Sequence, residues 1–313
     1  MRLMIKGLLL IITLGLLAAC GTPTANQDFG AVANRPHDHS DGTHSHAETT
    51  HSPAAGGELT PVLATSEVVV GPNRLALGLL ENNVPIKDAA RTEVTVRYFK
   101  LNGNQATPTG EEQATFYGEG LGDRGTFIVH PTFESAGTWG MEVEARRPGR
   151  APVVRRMSLN VVAKGNAPMI GDDAPRSDTP TAADVADLKQ ISSDIDPDPR
   201  LHQLSVAEAV TSGKPSLILF ATPGYCQTAV CGPGVDVVQK LVDEFGERIN
   251  AVHVEVYQLP YDNGKVVPAF QEWGLQSEPW LFLVDRDGKI AARYEGGITF
   301  DELKPDVERL IGG

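Results

Sequence analysis

The sequence predicts a multidomain chain in which an antiparallel β-sandwich is followed by an α/β domain. Three observations lead there. The 313 residues are enough for two domains of about 100–200 residues each. Between Thr65 and Ala163, short runs of alternating polarity are separated by Gly, Pro and Asn turns, the pattern of a sandwich. After residue 200, apolar strands alternate with segments of helical period. Hydrophobic residues make up 41%, which excludes wholesale disorder. A net charge of −13 argues against a nucleic-acid partner, which would need a basic face. Three cysteines are too few for a small disulfide scaffold, and their odd number asks for separate explanations.

Residues 1–19 are expected to be a signal peptide. Arg2 and Lys6 form a positive start, and Leu8 to Leu17 form an apolar run too short to span a bilayer. The run ends in Leu17-Ala18-Ala19-Cys20-Gly21, which resembles the lipobox of bacterial lipoproteins. That resemblance implies that Cys20 is lipidated and that the protein is anchored at the outer face of the cell membrane, where disulfides persist.

Residues 20–60 are expected to be a disordered tether, since they lack hydrophobic periodicity. As a flexible coil of ~40 residues its reach is about 35 Å. It carries His37, His39, His44, His46 and His51, five of the eight histidines in the chain. Imidazoles this close on a flexible chain can gather Cu or Zn, although such a site loses ordering entropy on binding.

The sandwich is expected over 61–163. Its strands include Glu67–Val70, Arg74–Leu80, Thr92–Phe99, Gly125–Val129, Trp139–Ala145 and Val153–Val162. The segment Phe133 to Trp139 resembles the late hairpin of YtkA-like and other immunoglobulin-like modules. Residues 164–199 are rich in Gly, Asp and Pro and form the expected linker, with a short helical stretch near Ala182 to Ile191. The motif Gly171-Asp172-Asp173-Ala174-Pro175 resembles the lead-in of periplasmic thioredoxin-like proteins.

Residues 200–313 open with a short helix, Val206 to Ser212, and a fully apolar strand, Ser216 to Ala221. A loop with Cys226 and Cys231 leads into a helix from about Pro233 to Phe245, whose apolar positions fall at helical spacing. A strand at Ile249–Val256, a helix at Val267–Trp273, Glu278-Pro279-Trp280, a strand to Val284 and a turn at Asp285–Gly288 follow. An edge strand runs from Ile290 to Tyr294, and Thr299-x-x-Glu302 has the capping-box form that opens the last helix.

This order resembles a thioredoxin fold. Cys231-Gly232-Pro233 matches the start of the thioredoxin Cys-Gly-Pro-Cys motif, and Glu278-Pro279 stands where that family has an X-cis-Pro facing the cysteines. The resemblance implies no required cofactor and partners that are thiols or disulfides of extracytoplasmic proteins. It also implies that Glu278 and Pro279 hold the partner strand through backbone, with Tyr225 and Trp280 lining the groove. The sequence departs from the family at two places. Gly234 replaces the second cysteine, leaving a Cys-x4-Cys pair, and Leu219 stands where many thioredoxins have a buried Asp. Were 226–231 all helical, five residues at about 100° each would put the sulfurs about 140° apart. The loop must therefore be non-helical for the two to meet.

Three readings of the pair follow. It is a redox couple of a membrane-anchored thiol–disulfide oxidoreductase, or a Cu(I)-binding pair in a Sco-like metallochaperone, or a static staple in a binding protein. A cysteine at a helix start has a stabilised thiolate, which favours Cys231 as nucleophile, while alignment from the strand end favours Cys226. His253, Glu255 and Tyr257 share one face of their strand, which makes His253 a candidate proton donor or copper ligand.

Overall fold

The computed structural model describes residues 29, 59–103, 105–121, 125–226 and 230–312. Cys20 and the five tether histidines lie outside these. No helix among the described residues is long and apolar enough to cross a membrane.

The first domain is a two-sheet sandwich. One sheet joins β1 (Leu59–Leu63), β4 (Leu75–Glu81), β9 (Thr126–Val129) and β8 (Thr115–Tyr117), with β5 (Val84–Pro85) beside β4. The other has the order β2-β12-β11-β6-β7, built from Val68–Val69, Val153–Val162, Gly137–Arg146, Glu93–Asn102 and Gln105–Gln113. The small pair β3 (Gly71–Pro72) and β10 (Thr132–Phe133) closes one end. Inward residues of both sheets, among them Leu75, Leu77, Phe127, Phe133, Trp139, Met141 and Leu159, form one buried core. Strand β7 (QATPTGEEQ) is almost wholly exposed. It is an edge strand whose ladder with β6 shifts register at Tyr98/Phe99, next to Pro108. Pro and charge on an edge suppress pairing with other chains, and they also erase the apolar alternation that would have revealed the strand. Phe29 packs on the outer face of this sheet, 5.2 Å from the Phe99 ring and beneath the Arg156 guanidinium.

The second domain is a four-stranded sheet in the order β14-β13-β15-β16, from Asn250–Glu255, Ser216–Ala221, Trp280–Val284 and Ile290–Glu295. β13 and β14 are parallel, β15 runs antiparallel to β13, and the edge strand β16 runs antiparallel to β15. Every residue of β13 is buried, because helices cover both faces of the sheet. α1 (Val206–Thr211) and α3 (Pro268–Glu272) pack with Phe220, Trp273 and Phe282 on one side. α2 (Cys231–Phe245) and α4 (Phe300–Gly312) pack with Leu217, Leu219 and Leu281 on the other. α1 carries a complete capping box between Ser205 and Glu208.

The predicted box at α4 is only half formed. The Glu302 amide donates to Thr299 Oγ1 at 3.4 Å, but the Glu302 carboxylate is taken by Arg74 of the sandwich. The linker also differs from expectation. Its helical stretch is a single 3-10 turn, Leu188–Gln190. Asp173 bridges to Lys289, and the Gly171 amide donates to the Ile290 carbonyl at 2.8 Å. Ala167 and Ala174 enter the core of the second domain, so the segment is an added edge of that domain. Its contacts run through backbone, which residue type does not report.

The two domains meet through buried polar contacts. Arg74 pairs with Glu302, and Glu67 pairs with Arg293 at 2.9 Å. The Glu295 carboxylate accepts from the Ser66 amide at 3.0 Å and from the hydroxyls of Ser66 and Ser277.

Candidate active site around Cys226 and Cys231

The site lies at the C-terminal end of β13. The chain leaves the strand through Thr222, which is fully buried, and turns at Pro223-Gly224-Tyr225. Cys226 is non-helical and Cys231 is the first residue of α2. The linker braces this loop. Ser193 Oγ accepts from the Gly224 amide at 2.9 Å, and the Ser193 amide donates to Glu255 Oε2 at 2.7 Å. A Cβ on Gly224 would come within 2.8 Å of the Ser193 carbonyl, so glycine allows the close approach.

Both cysteines are thiols, joined by a hydrogen bond between them. Cys226 is half-buried and Cys231 is completely buried. The hydrogen bond with Cys226, and then burial, push the Cys231 thiol far above its ordinary range, against a small opposing hydrogen bond from the Thr222 backbone. Cys231 therefore stays protonated at neutral pH despite its place at the helix start.

The Glu278–Pro279 peptide bond is cis. The Glu278 carboxyl reaches the cysteines, so that one of its oxygens and the two sulfurs all lie within 4.8 Å of one another. Burial, followed by repulsion from Cys226 and Glu255, pushes Glu278 up to about 9. Its part in the site was expected to be a backbone one, and the side chain is what the sequence left unseen.

Tyr225 is 41% exposed and stacks on Tyr261, with ring centroids 4.2 Å apart, while Tyr257 meets Tyr261 edge-on. Tyr261 was not anticipated, because it comes from an irregular segment between β14 and α3. Trp280 does not line a groove. It is 3% exposed, stacked on Phe282 and covered by Arg293, with its Nε1 donating to Ser277.

His253 does not join the cysteines. It lies on β14 beside β13, with Nε2 3.1 Å from the Ala221 carbonyl and its ring 5.3 Å from that of His202. Burial lowers both histidines, His202 to about 4, so both are neutral. Among the described residues, the donors near the pair are two thiols and a carboxyl. With Cys231 and Glu278 held protonated, a cation would have to expel those protons to bind, and the imidazole of the copper reading is elsewhere.

An apolar strand, a cysteine loop at a helix start and a facing cis-proline define a thioredoxin-like domain of thiol–disulfide oxidoreductase type. Sequence comparison agrees, since residues 203–310 match the thioredoxin-like domain family. Solved structures that resemble parts of the chain include a candidate thiol:disulfide interchange protein DsbE from Chlorobium tepidum. It has 17% identity and a TM-score of 0.33, over 47% of this chain and 100% of that one. A thioredoxin-family thiol:disulfide interchange protein from Chlorobium tepidum TLS has 18% identity and a TM-score of 0.28, over 34% of this chain and 85% of that one. Chloroplastic thioredoxin z has 15% identity and a TM-score of 0.28, over 34% and 86%. No curated protein matches the chain.

Proposed function

We propose that the protein is a membrane-anchored, extracytoplasmic thiol–disulfide oxidoreductase in which Cys226 attacks and Cys231 resolves. The unequal burial of the two sulfurs carries this reading. Cys226 is accessible to a partner, and Cys231 is completely buried directly behind it.

The Cys226 thiolate attacks a partner disulfide, forms a mixed disulfide and releases one partner thiolate. Cys231 then attacks Cys226, closes the internal disulfide and releases the second partner thiol. The partner disulfide is reduced and the pair oxidised, and the reverse sequence oxidises a partner dithiol. Backbone at Glu278 and Pro279 presents the partner strand, and the Tyr225–Tyr261 stack flanks the attacking sulfur. The leader and Cys20 support anchoring outside the cytoplasmic membrane, and the tether histidines support gathering of Cu or Zn there.

The test is a redox titration of the Cys20→Ser protein in glutathione and dithiothreitol buffers, with thiols trapped by a mass tag. A potential within about −120 to −270 mV is expected, the span of known exchange proteins. A disulfide intact well below about −300 mV identifies a structural staple instead. Cys231→Ser should leave Cys226 captured as a mixed disulfide.

A further inference from the structure

We propose that the Glu278 carboxyl is the proton relay between the two sulfurs during resolution of the mixed disulfide, a deduction that rests on the redox reading above. The cysteines are reached by one carboxyl oxygen lying within 4.8 Å of both sulfurs. Among the described residues, the core on the other side of Cys231 offers no acid, and Leu219 there is a fully buried aliphatic.

The Glu278 carboxyl is also unsatisfied. Its Oε2 is buried without a hydrogen-bond partner, a state that folded proteins seldom leave without a reason. Such an atom at a pair of exchanging thiols is a proton-transfer group awaiting its substrate. The titratable groups that face it are Cys226 from the loop, Cys231 from α2, Glu255 from the end of β14 and Tyr257 just beyond. All of them are acids, so among the described residues no cation opposes the proton that the site shares. The upward shift of Glu278 agrees with that arrangement and keeps it a carboxylic acid at neutral pH.

A neutral carboxyl can act at both ends of the step. As Cys231 attacks Cys226, the Cys231 proton passes to one Glu278 oxygen and a new S–S bond forms between the cysteines. The bond from Cys226 to the partner sulfur breaks, and the departing sulfur takes the proton that the carboxyl already held. The partner leaves as a thiol, the pair has given up two electrons, and Glu278 ends in its starting state. This bypasses free ionisation of Cys231, which burial opposes.

The test follows the full chain carrying Cys20→Ser as it reacts with oxidised glutathione. Samples are quenched in acid and the glutathione adduct is counted by intact mass. With Glu278 present, the adduct should stay scarce and its resolution should vary little between about pH 6 and 8. In Glu278→Gln, which keeps the shape, resolution should slow by about 10²–10⁴-fold at neutral pH. The adduct should then accumulate, and resolution should regain about tenfold per pH unit as hydroxide takes over. An unchanged rate and pH profile in Glu278→Gln, beside an active parent, overturns the relay alone. A parent in which oxidised glutathione leaves both cysteines as thiols overturns the redox reading and the relay with it. Should Glu278→Gln fail to fold, infrared difference spectra of the parent decide the matter. A protonated carboxyl band that shifts between dithiol and disulfide forms is expected, and its absence refutes the proposal.

Discussion

Arg74 ties the two domains together through four hydrogen bonds, and its removal should be costly. It leaves the sandwich just before β4 and enters the second domain. Its Nε and Nη2 donate to the two Glu302 oxygens at 2.6 and 2.9 Å, and Nη1 and Nη2 donate to the Glu295 and Gly297 carbonyls at 2.7 and 2.8 Å. Both partners of the ion pair are buried, with side-chain exposures of 7% and 6%. Breaking a buried pair by removing one member costs about 3–5 kcal/mol, because the other charge is stranded. Two carbonyls also lose donors, so Arg74→Ala should cost at least the middle of that range, about 4 kcal/mol. That is close to a thousandfold in equilibrium, at about 1.4 kcal/mol per factor of ten. Denaturation in guanidinium followed by tryptophan fluorescence reads it, since Trp139 reports the sandwich and Trp273 and Trp280 report the second domain. The transition should move to lower denaturant and split as the domains uncouple. Adding Glu302→Ala to Arg74→Ala should recover part of the loss, because the stranded charge is gone. A loss below about 1 kcal/mol, or strict additivity in the double variant, would refute the reasoning.

Three further outcomes follow from the structure. Gly274→Ala should lower stability by more than about 2 kcal/mol in a thermal melt, because its φ is +63° and a Cβ would lie 2.2 Å from the Asn166 carbonyl. Tyr261→Ala removes half of the stack beside Cys226. It should raise KM for a protein partner by about 3–10-fold, given about 0.5–1.5 kcal/mol per aromatic contact, and leave the rate with glutathione nearly unchanged. Stability should also fall with rising pH on account of Glu278, which is raised from 4.5 to about 9. The folded protein keeps a proton that the unfolded chain has released, so this contribution is complete below about pH 4.5 and is lost as pH climbs through about 9. The slope is at most about 1.4 kcal/mol per pH unit, and urea midpoints for Glu278→Gln should lack it.

The elements legible in the sequence were those whose own residues meet the core. The apolar run 216–221 is wholly buried as β13, and Val235, Val238, Leu241 and Phe245 form the buried stripe of α2. Elements made by contact with something distant stayed hidden. β7 is polar because it is an edge, and the linker pairs with β16 through backbone. Trp280 could be placed beside the cis-proline but not oriented, since alternation along a strand buried on both faces gives no polar side to mark the exposed one. His253 is a candidate for the site by its strand face alone, and Glu278 enters the sequence reading only through its backbone. Shared faces along one strand say which residues lie together, but not which cavity that face meets.

Two buried carboxyls of the second domain show why the half-buried Glu278 stands apart. Glu295 at the domain junction is pushed up by burial, yet Ser66 and Ser277 surround it with an amide and two hydroxyls. Glu255 at the end of β14 receives the amides of Ser193 and Val256. Each of these has been supplied with donors by a neighbouring segment, which is how folded proteins treat a carboxyl that only holds parts together. Glu278 lies on the same domain with Oε2 left bare and two sulfurs as its neighbours. The domain can solvate a buried acid from the linker and from the sandwich, and it does so twice. Leaving Oε2 of Glu278 without a donor beside the thiols reserves the carboxyl's proton for them, in contrast to the tightly satisfied junction.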